Sequence, residues 1–473
     1  MSPVVPEGPH NRDVAMPDEA KRPTRRDVLT VAALGVAALG AGVPLTGCKS
    51  TQNDAAAAQG AAKSTTRKTL RIARWSHPIP AFDRWFNEQY CKDWGDAHNT
   101  DVIVDNLGIT ALEAAAGAEA ASKRGHDLFA FARPMPAYED EVIDHAAVYE
   151  ECWQRYGKAI DLAVRSTQNP QTKKYFAFAE SFAPRPILYR KDLFDEVGGN
   201  PDTWDDIRRF GKKIKDKRGI PVALGLAADI DTANVLRAVL YSFGASEQNA
   251  EGSVALDSNE TLEAVTFFKA LYRDAMAPDA LSAGASSNGR AIIEGKASVV
   301  MSPISVTRTA EDEGVPIAEN IRLAKAARGP ARRMAPAHSM NCYSIWKFAK
   351  NIDGARAFLA DYVGNLREGF LHSAFFNMPC FPTAPDLAVL VKDDSLGKPP
   401  DKYTALGDAT EWTTNGGYPG YTNAAIADAD AASALSAMFA RASTGAMSPK
   451  DAIQEAAKKY EAIWAKWRAH NFL

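Results

Sequence analysis

The sequence predicts an α/β protein made of two lobes, and two observations lead to this fold class. Extended apolar segments alternate with helical ones along the first part of the body, a pattern typical of parallel sheets covered by helices. The chain has 473 residues, of which 426 remain once a leader of 47 residues is removed. Because a single hydrophobic core stops growing at roughly 250–300 residues, we expect two lobes, each with a mostly parallel sheet flanked by helices.

The elements of the first lobe follow from the spacing of the apolar residues. The pattern predicts strands over 69–75, 100–105 and 126–131, a helix from about residue 81 and another over 111–123. In such sheets ligands bind beyond the carboxyl ends of the strands. This rule selects candidate ligand contacts at the ends of the first and third strands: Trp75, Ser76, His77, Phe131 and Arg133.

The rest of the chain continues the alternation. Residues 187–190 are extended, and two glycines stop a short helix over 191–197. Thr203 is expected to cap the next helix, with Asp206 in the capping-box position. Later patterns predict strands over 220–224 and 340–346, a helix end, turn and strand over 291–303, and helices over 232–243, 262–276, 354–363, 425–442 and 449–469.

The beginning of the chain has the features of an export signal. Arg25 and Arg26 stand directly before an apolar stretch that is too short and too rich in Ala and Gly to span a bilayer. Paired arginines indicate the twin-arginine route. The ending Leu-Thr-Gly-Cys resembles a bacterial lipobox, in which cleavage leaves a lipidated Cys48. We therefore predict a signal peptide over 1–47, the lipidated cysteine and a flexible tether over 48–68, and anchoring to the cell membrane outside the cytoplasm.

Charge and cysteine content argue against a nucleic-acid partner and against a zinc site. The formal net charge of −3 argues against nucleic acid, which needs a basic excess. Cys91, Cys152, Cys342 and Cys380 show neither Cys-x-x-Cys spacing nor nearby paired histidines, so we expect no zinc site and no other cofactor. In an exported protein these cysteines are compatible with one or two disulfides or with buried free thiols.

The sequence contains no catalytic signature. It lacks a G-x-S-x-G elbow, a G-x-x-x-x-G-K-[ST] phosphate loop and an H-E-x-x-H metal motif. Two Asp-x-Asp pairs, 229–231 and 428–430, resemble fragments of calcium loops but lack the glycine and the distal glutamate. We expect solvated helix ends or caps at both places.

Three stretches in order resemble the extracellular solute-binding proteins of ABC importers, in the group that includes maltose- and glycerol-phosphate-binding proteins. Ile187–Ile207 resembles the family's extended segment followed by K-D-L-F and P-x-T-W-[DE]-[DE]-[LI]. Glu294-Gly-Lys-Ala, with the apolar run ending at Pro303, resembles its G-K-A-A-M turn and strand. Ala425–Trp464 resembles its last helices.

The resemblance implies a type II periplasmic-binding-protein-like fold with the solute held in a cleft between the lobes. Carried onto this chain, it implies a division that we list by segment: lobe one over 69–178 plus 304–340, lobe two over 185–300 plus 344–473, and hinge segments at 178–184, 301–305 and 339–343. Residues 375–421 depart from the family in being rich in Pro, Gly and aromatics.

The expected cleft combines aromatic planes with polar groups, which suits sugar rings and their hydroxyls. The candidate ligand-binding residues are Trp75, Ser76, His77, Phe131, Arg133, Glu180, Ser302, Asn341, Trp412, Tyr418 and Tyr421. Arg133 is able to grip an anionic group or to bridge an aspartate across the cleft, so both a neutral and an anionic solute remain open.

These observations predict a monomeric, lipid-anchored solute-binding protein that delivers a carbohydrate or related small solute to the permease subunits of an ABC transporter. Two alternatives stay open. One is a secreted carbohydrate-active enzyme using two cleft carboxylates, with Glu180 and Glu411 as first candidates. The other is a surface lipoprotein without a small ligand.

Overall fold

Two β-sheets, of six and three strands, organise the described body of the chain, and a two-stranded pair joins residues 335–336 to 413–414. The computed structural model describes residues 66–284, 287–469 and 473. The predicted signal peptide, Cys48 and nearly all of the predicted tether lie outside the described residues.

The strands of the described chain are short apart from the first two and the one near residue 340. They are β1 Lys68–Trp75, β2 Thr100–Leu107, β3 Leu128–Phe131, β4 Phe178–Ala183, β5 Ile187–Arg190, β6 Val299–Met301, β7 Ile321–Ala324, β8 Ala335–Pro336, β9 Ser339–Ile345, β10 Met378–Pro379 and β11 Thr413–Thr414.

The helices cover the faces of the two sheets. They are α1 Pro80–Arg84, α2 Cys91–Ala97, α3 Ile109–Ser122, α4 Ala146–Tyr156, α5 Asp161–Thr167, α6 Lys191–Glu196, α7 Trp204–Arg218, α8 Ile230–Phe243, α9 Asn259–Ala275, α10 Ser287–Ile293, α11 Ser305–Asp312, α12 Ile352–Val363, α13 Leu366–His372, α14 Leu387–Leu390, α15 Ala409–Trp412, α16 Ala424–Ala431, α17 Ala434–Thr444 and α18 Pro449–Arg468. A π-helical turn, Trp85–Tyr90, joins α1 to α2, and short 3-10 turns occupy Pro136–Tyr138, Pro278–Leu281, Pro316–Asn320 and Pro400–Leu406.

The larger sheet forms the first lobe, and its strands lie in the order β10-β4-β9-β3-β1-β2. Strand β1 pairs in parallel with β2 and β3, whereas β9 runs antiparallel to both β3 and β4, and β10 is antiparallel to β4. The smaller sheet, in the second lobe, has the order β6-β5-β7 with both pairs antiparallel. The sheets are therefore mixed rather than mostly parallel, because β4 and β9 meet as strands that pass directly to and from the other lobe instead of through crossover helices.

Strand pairing also corrects the expected division of the chain after residue 304. Residues 321–324 were assigned to lobe one, but β7 pairs with β5 of the second lobe. The physical reason is burial: Ile321 packs into the small core beside Leu188 and Val300. Conversely, the chain directly after residue 344 was expected in lobe two, but α12 packs on the first lobe. The Phe358 ring of α12 lies 5.4 Å from the Tyr90 ring of that lobe.

Two predicted elements differ locally and one is confirmed. Residues 220–224 form no strand, because only Val222 makes an isolated bridge. The predicted helix over 425–442 is two helices, broken at Ser433, which has φ +49°. The Thr203 cap is confirmed, with its hydroxyl accepting from the Asp206 N–H and the Asp206 carboxylate accepting from the Thr203 N–H.

Two short connections and one long segment join the lobes. The chain passes from β4 to β5 at residues 184–186, from β8 to β9 at residues 337–338, and from β10 towards β11 through residues 380–412. The first two connections lie side by side, since the His338 N–H donates to the Ala183 carbonyl. Among the described residues no helix is both long enough and apolar enough to cross a membrane.

Candidate functional site

A cavity of about 1250 Å³ lies between the two lobes. Its walls come from three parts of the chain: strand ends and helix α3 of the first lobe, the connections between the lobes, and helices α8, α10, α11 and α16 of the second lobe. Pockets of several hundred cubic ångströms that are walled on several sides are the usual sites for small molecules.

The first-lobe wall is built by parallel strands. Trp75 ends β1 and Arg133 follows β3, and because these strands are parallel their carboxyl ends meet at one edge of the sheet. Trp75 is 7% exposed and packs against Phe376, with ring centroids 6.4 Å apart. The Arg133 guanidinium donates to Glu113 of α3 over 3.0 Å, so this arginine is already paired with a carboxylate.

The second-lobe wall is built by the beginnings of helices. Asp229 caps α8 by accepting from the Thr232 N–H over 2.8 Å. Asn423 caps α16 in the same way, accepting from the Ile426 N–H over 3.0 Å. Both caps lie at the cavity, together with Asn234 one turn into α8. Carboxylate and amide side chains therefore line this wall, and they suit hydroxyl groups.

A buried charge cluster lies behind this wall. Arg237 of α8 donates to Glu247 over 2.6 and 2.9 Å and to Asp430 over 2.6 and 3.2 Å. Tyr460 of α18 also donates to Glu247 over 2.6 Å. Burial raises the pKa of Asp430, opposed by the Arg237 charge. Arg237 and Asp430 line the cavity, but they are already paired with each other as an ion pair.

A second cluster occupies the connections. The Arg185 side chain is fully buried and donates from Nη1 to Asp231 Oδ1 over 2.6 Å and from Nη2 to His338 Nδ1 over 2.7 Å. Burial, reinforced by the Arg185 charge, lowers the pKa of His338 to about 3, so the imidazole is neutral. All three residues line the cavity.

Three of the candidate residues from the sequence lie at the cavity: Trp75, Arg133 and Ser302. The other candidates do not line it, and they are Ser76, His77, Phe131, Glu180, Asn341, Trp412, Tyr418 and Tyr421.

Three of these other candidates belong to the first-lobe interior. His77 contacts Asn377 Oδ1 through Nε2 over 3.1 Å, and burial lowers its pKa to about 3. Asn341 donates to Ser181 and to Asn377, each over 2.9 Å. Phe131 is 2% exposed and stacks on Phe129.

Glu180 lies inside the first lobe rather than at the cleft. It is 3% exposed, and among the described residues its Oε2 has no hydrogen-bond partner. Burial raises the pKa of Glu180 to about 8. Glu411 is exposed on α15 and does not line the cavity either. The pair of carboxylates considered for an enzyme is therefore not assembled there.

The aromatic candidates near the end of the chain make contacts within the protein instead of facing the cavity. Trp412 is 2% exposed, and its indole donates to Asp408 over 3.2 Å. Arg332 donates to the Tyr418 hydroxyl over 2.6 Å, and Arg165 lies 5.7 Å from the Tyr421 ring centroid. Ser76 is exposed, with its N–H donating to the Leu107 carbonyl.

Sequence reasoning missed most of the polar lining. Asp231, Arg185 and His338 come from segments far apart in the chain, so no local pattern connects them. The available signal was weak: a lone arginine between two prolines in an irregular stretch. Asp229 and Asp430 were interpreted as solvated helix ends or caps, and only Asp229 serves as a cap, because Asp430 pairs with Arg237.

The described ranges also bear on metal ligands and on the state of the cysteines. No group of three or more His, Cys, Asp or Glu side chains in them is arranged to hold a metal ion. Cys91, Cys152, Cys342 and Cys380 are all free and buried, which selects the free-thiol alternative.

Comparison with known families gives two matches. Residues 78–363, more than half of the chain, match the sequence profile described as bacterial extracellular solute-binding protein. Residues 15–45 match the profile described as the TAT signal of the ubiquitinol-cytochrome c reductase Fe-S subunit, which confirms the predicted twin-arginine signal. The comparison with curated proteins finds no match.

Solved structures share the fold. Maltose-bound MalE3 of T. maritima superposes with a TM-score of 0.67 at 18% identity, covering 84% of this chain and 99% of that one. An ABC transporter solute-binding protein from Thermotoga lettingae TMO, bound with α-D-tagatose, gives 0.66 at 17% identity over 84% and 99%. A sugar transporter from Arthrobacter chlorophenolicus A6 with bound laminaribiose gives 0.66 at 18% identity over 83% and 99%. These likenesses confirm the predicted two-lobed fold.

Proposed function

The chain belongs to the family of bacterial extracellular solute-binding proteins, and we propose that it is a lipid-anchored receptor for a neutral carbohydrate. It captures the sugar in the cavity between its lobes and passes it to the permease of an ABC transporter. The observation that carries this proposal is the composition of the cavity, which is lined from both lobes.

The polar lining supports a sugar as ligand. Sugar hydroxyls both donate and accept hydrogen bonds, and the cavity offers carboxylates and amides from the beginnings of α8, α10 and α16. Trp75 supplies the aromatic plane on which the C–H face of a sugar ring packs. A few polar groups with one apolar face are the usual pattern of a small-molecule site.

The charges support a neutral rather than an anionic solute. Carboxylates outnumber guanidinium groups along the cavity wall. Three of the lining arginines are already paired, Arg133 with Glu113, Arg185 with Asp231 and Arg237 with Asp430. An anionic group at any of these three arginines would therefore have to displace a carboxylate, which leaves Arg290 as the fourth lining arginine. The structural neighbours described above carry maltose, tagatose and laminaribiose, which are neutral sugars.

A thermal-shift screen of neutral mono- and disaccharides tests this function. A sugar at a hundred times its dissociation constant should stabilise the protein by about 2.7 kcal/mol. Recovery of that sugar unchanged is expected of a receptor, whereas its turnover would indicate the enzyme. Absence of any shift across neutral sugars, with a shift for anionic ones, would overturn the proposal.

The anchor forms a separate part of the proposal. Cys48 ends the lipobox-like sequence, and the twin-arginine signal places the protein outside the cytoplasm. Cys48→Ala is expected to release the protein from membranes with its fold intact, while the neighbouring Ser50→Ala leaves it membrane-bound. Membrane association of the Cys48→Ala protein equal to that of wild type would exclude the anchor.

A further inference from the structure

The Arg185 side chain joins parts of the molecule that are far apart in sequence. Arg185 lies in the first connection between the lobes, His338 in the second, and Asp231 in the first turn of α8. The guanidinium hydrogen bonds to Asp231 and His338 are short, at 2.6 and 2.7 Å, and the Arg185 side chain has no exposed surface. The cluster thus ties the two connections to the second-lobe wall of the cavity.

The arginine determines which nitrogen of His338 carries the proton. A guanidinium is always a donor, so His338 Nδ1 must accept, and the hydrogen of the neutral ring is on Nε2. The side-chain hydrogen bond of His338 to the described residues is made by Nδ1, and the His338 side chain is 28% exposed at the cavity. It therefore presents an N–H donor to whatever occupies the cavity.

Asp231 presents the complementary acceptor. Its Oδ1 accepts from Arg185, and Oδ2 has only a long contact with Asn288 Nδ2 at 3.4 Å. Oδ1 of Asp231 lies 3.8 Å from His338 Nδ1, so the imidazole and the carboxylate are neighbours on one guanidinium. A pair of adjacent hydroxyls, each able to donate and to accept, fits such a pair.

We propose that Arg185 is the positioning residue of the ligand site, holding His338 as an N–H donor and Asp231 as an acceptor for two adjacent hydroxyls of the solute. This inference rests on the proposed carbohydrate-binding function. It adds that recognition of a diol is set by residues of both connections between the lobes together with the first turn of α8.

The charges around His338 give a signature that a purely structural arginine would lack. Arg185 faces the ring from the first connection and Asp231 faces it from α8, and burial also acts on it. Replacing Arg185 with glutamine removes the cation and keeps the carboxylate, so the pKa of His338 should rise, while burial, the larger cause, still holds it below its ordinary value. Lysine at this position keeps the cation and should keep the pKa of His338 low. Its ammonium group cannot donate to two acceptors from one rigid plane, as the guanidinium does.

Nitrogen NMR of the protein labelled with ¹⁵N-histidine tests the proposal. His338 is assigned by loss of its signals in His338→Asn, and His145, buried away from the cavity, is the internal control. The expected result is a neutral Nε2–H tautomer between pH 5 and 8 in wild type and in Arg185→Lys, and a ring that protonates at a higher pH in Arg185→Gln than in wild type. An Nδ1–H tautomer in wild type, which needs no variant to fold, would overturn the proposal.

The ligand arm uses maltose and laminaribiose as probes. A sugar that binds should shift the His338 Nε2–H signal and leave His145 unchanged, and Arg185→Lys should weaken binding roughly tenfold, the equivalent of about 1.4 kcal/mol. Binding without a His338 shift would overturn the diol assignment but leave the carbohydrate function standing. If neutral sugars fail to bind while the Nε2–H tautomer is present, the proposed function fails and the positioning of His338 by Arg185 stands.

Discussion

Arg237 and Asp430 are 193 positions apart in the chain, yet their side chains are joined by hydrogen bonds of 2.6 and 3.2 Å at the cavity wall. Glu247 completes the cluster from behind, with no exposed surface. The C-terminal helices are thereby fixed to α8, which carries the polar beginning that faces the cavity. The site depends on this contact for its shape as well as for its charge.

Removing one carboxylate from this cluster should lower the stability of the protein, because the buried Arg237 charge depends on its partners. Glu247→Gln is expected to destabilise the protein by about 3 kcal/mol or more, because a charge is left buried with an incomplete partner set. Asp195→Asn, which breaks the exposed ion pair with Lys191, should cost less than about 1 kcal/mol. Denaturant unfolding of both variants is the measurement, and equal losses would contradict the assignment.

Trp75 is largely buried, but we expect it to contribute to sugar binding as well as to packing. Trp75→Ala removes the aromatic face of the cavity and is expected to weaken sugar binding at least roughly tenfold, since stacking and lost contact area together exceed about 1.4 kcal/mol. Trp412 is the matched control, being buried but outside the cavity. Trp412→Ala should cost roughly 3–5 kcal/mol of stability and leave affinity unchanged. Unchanged affinity in Trp75→Ala would remove it from the site.

Glu180 should make the protein less stable in base. Its pKa is raised to about 8 in the folded state by burial, whereas the unfolded chain ionises near the ordinary value of 4.5. Between these values the unfolded state binds fewer protons, so the Glu180 contribution is fully present below about pH 4.5 and is lost as pH rises to about 8. Glutamine has no carboxyl to ionise, so Glu180→Gln should not lose stability in this way as the pH rises.

The stability difference between Glu180→Gln and wild type should therefore grow with pH, reaching on the order of a few kcal/mol near pH 8. The measurement is chemical unfolding at several pH values. Glu411→Gln, at an exposed carboxyl, serves as the control and should run parallel to wild type. A Glu180→Gln curve that also runs parallel would show that this carboxyl ionises freely.

The buried cysteines should be inert in the native state. All four are free, and burial raises the pKa of each thiol, that of Cys152 to about 12. A maleimide reagent should therefore label none of them in native protein and all four after unfolding without reductant. Fewer than four labels in denaturant, restored by reductant, would reveal a disulfide.

The sequence predicted features that depend on neighbouring residues. The Thr203 capping box and the positions of Trp75 and Arg133 at strand ends follow from local spacing and the direction of parallel strands. It failed where the outcome depends on distant partners. The lobe to which β7 belongs is decided by pairing with β5, more than a hundred residues away.

Residue type was a poor guide to the site itself. Aromatic candidates such as Trp412 and Phe131 were chosen because sugars stack on aromatic rings, but large aromatics are also what fills a core. The polar groups that do line the cavity, Arg185, Asp231 and His338, come together only through the connections between the lobes. No spacing rule connects positions joined in this way.

Calorimetric titration with matched sugars tests the central claim most directly. Neutral disaccharides such as maltose and laminaribiose are compared with their phosphorylated or uronic-acid counterparts at one salt concentration. Because three of the four lining arginines are paired and carboxylates are in excess, a neutral sugar should bind at least roughly tenfold more tightly than its anionic counterpart. Tighter binding of the anionic sugar, or binding of neither kind, would contradict the account.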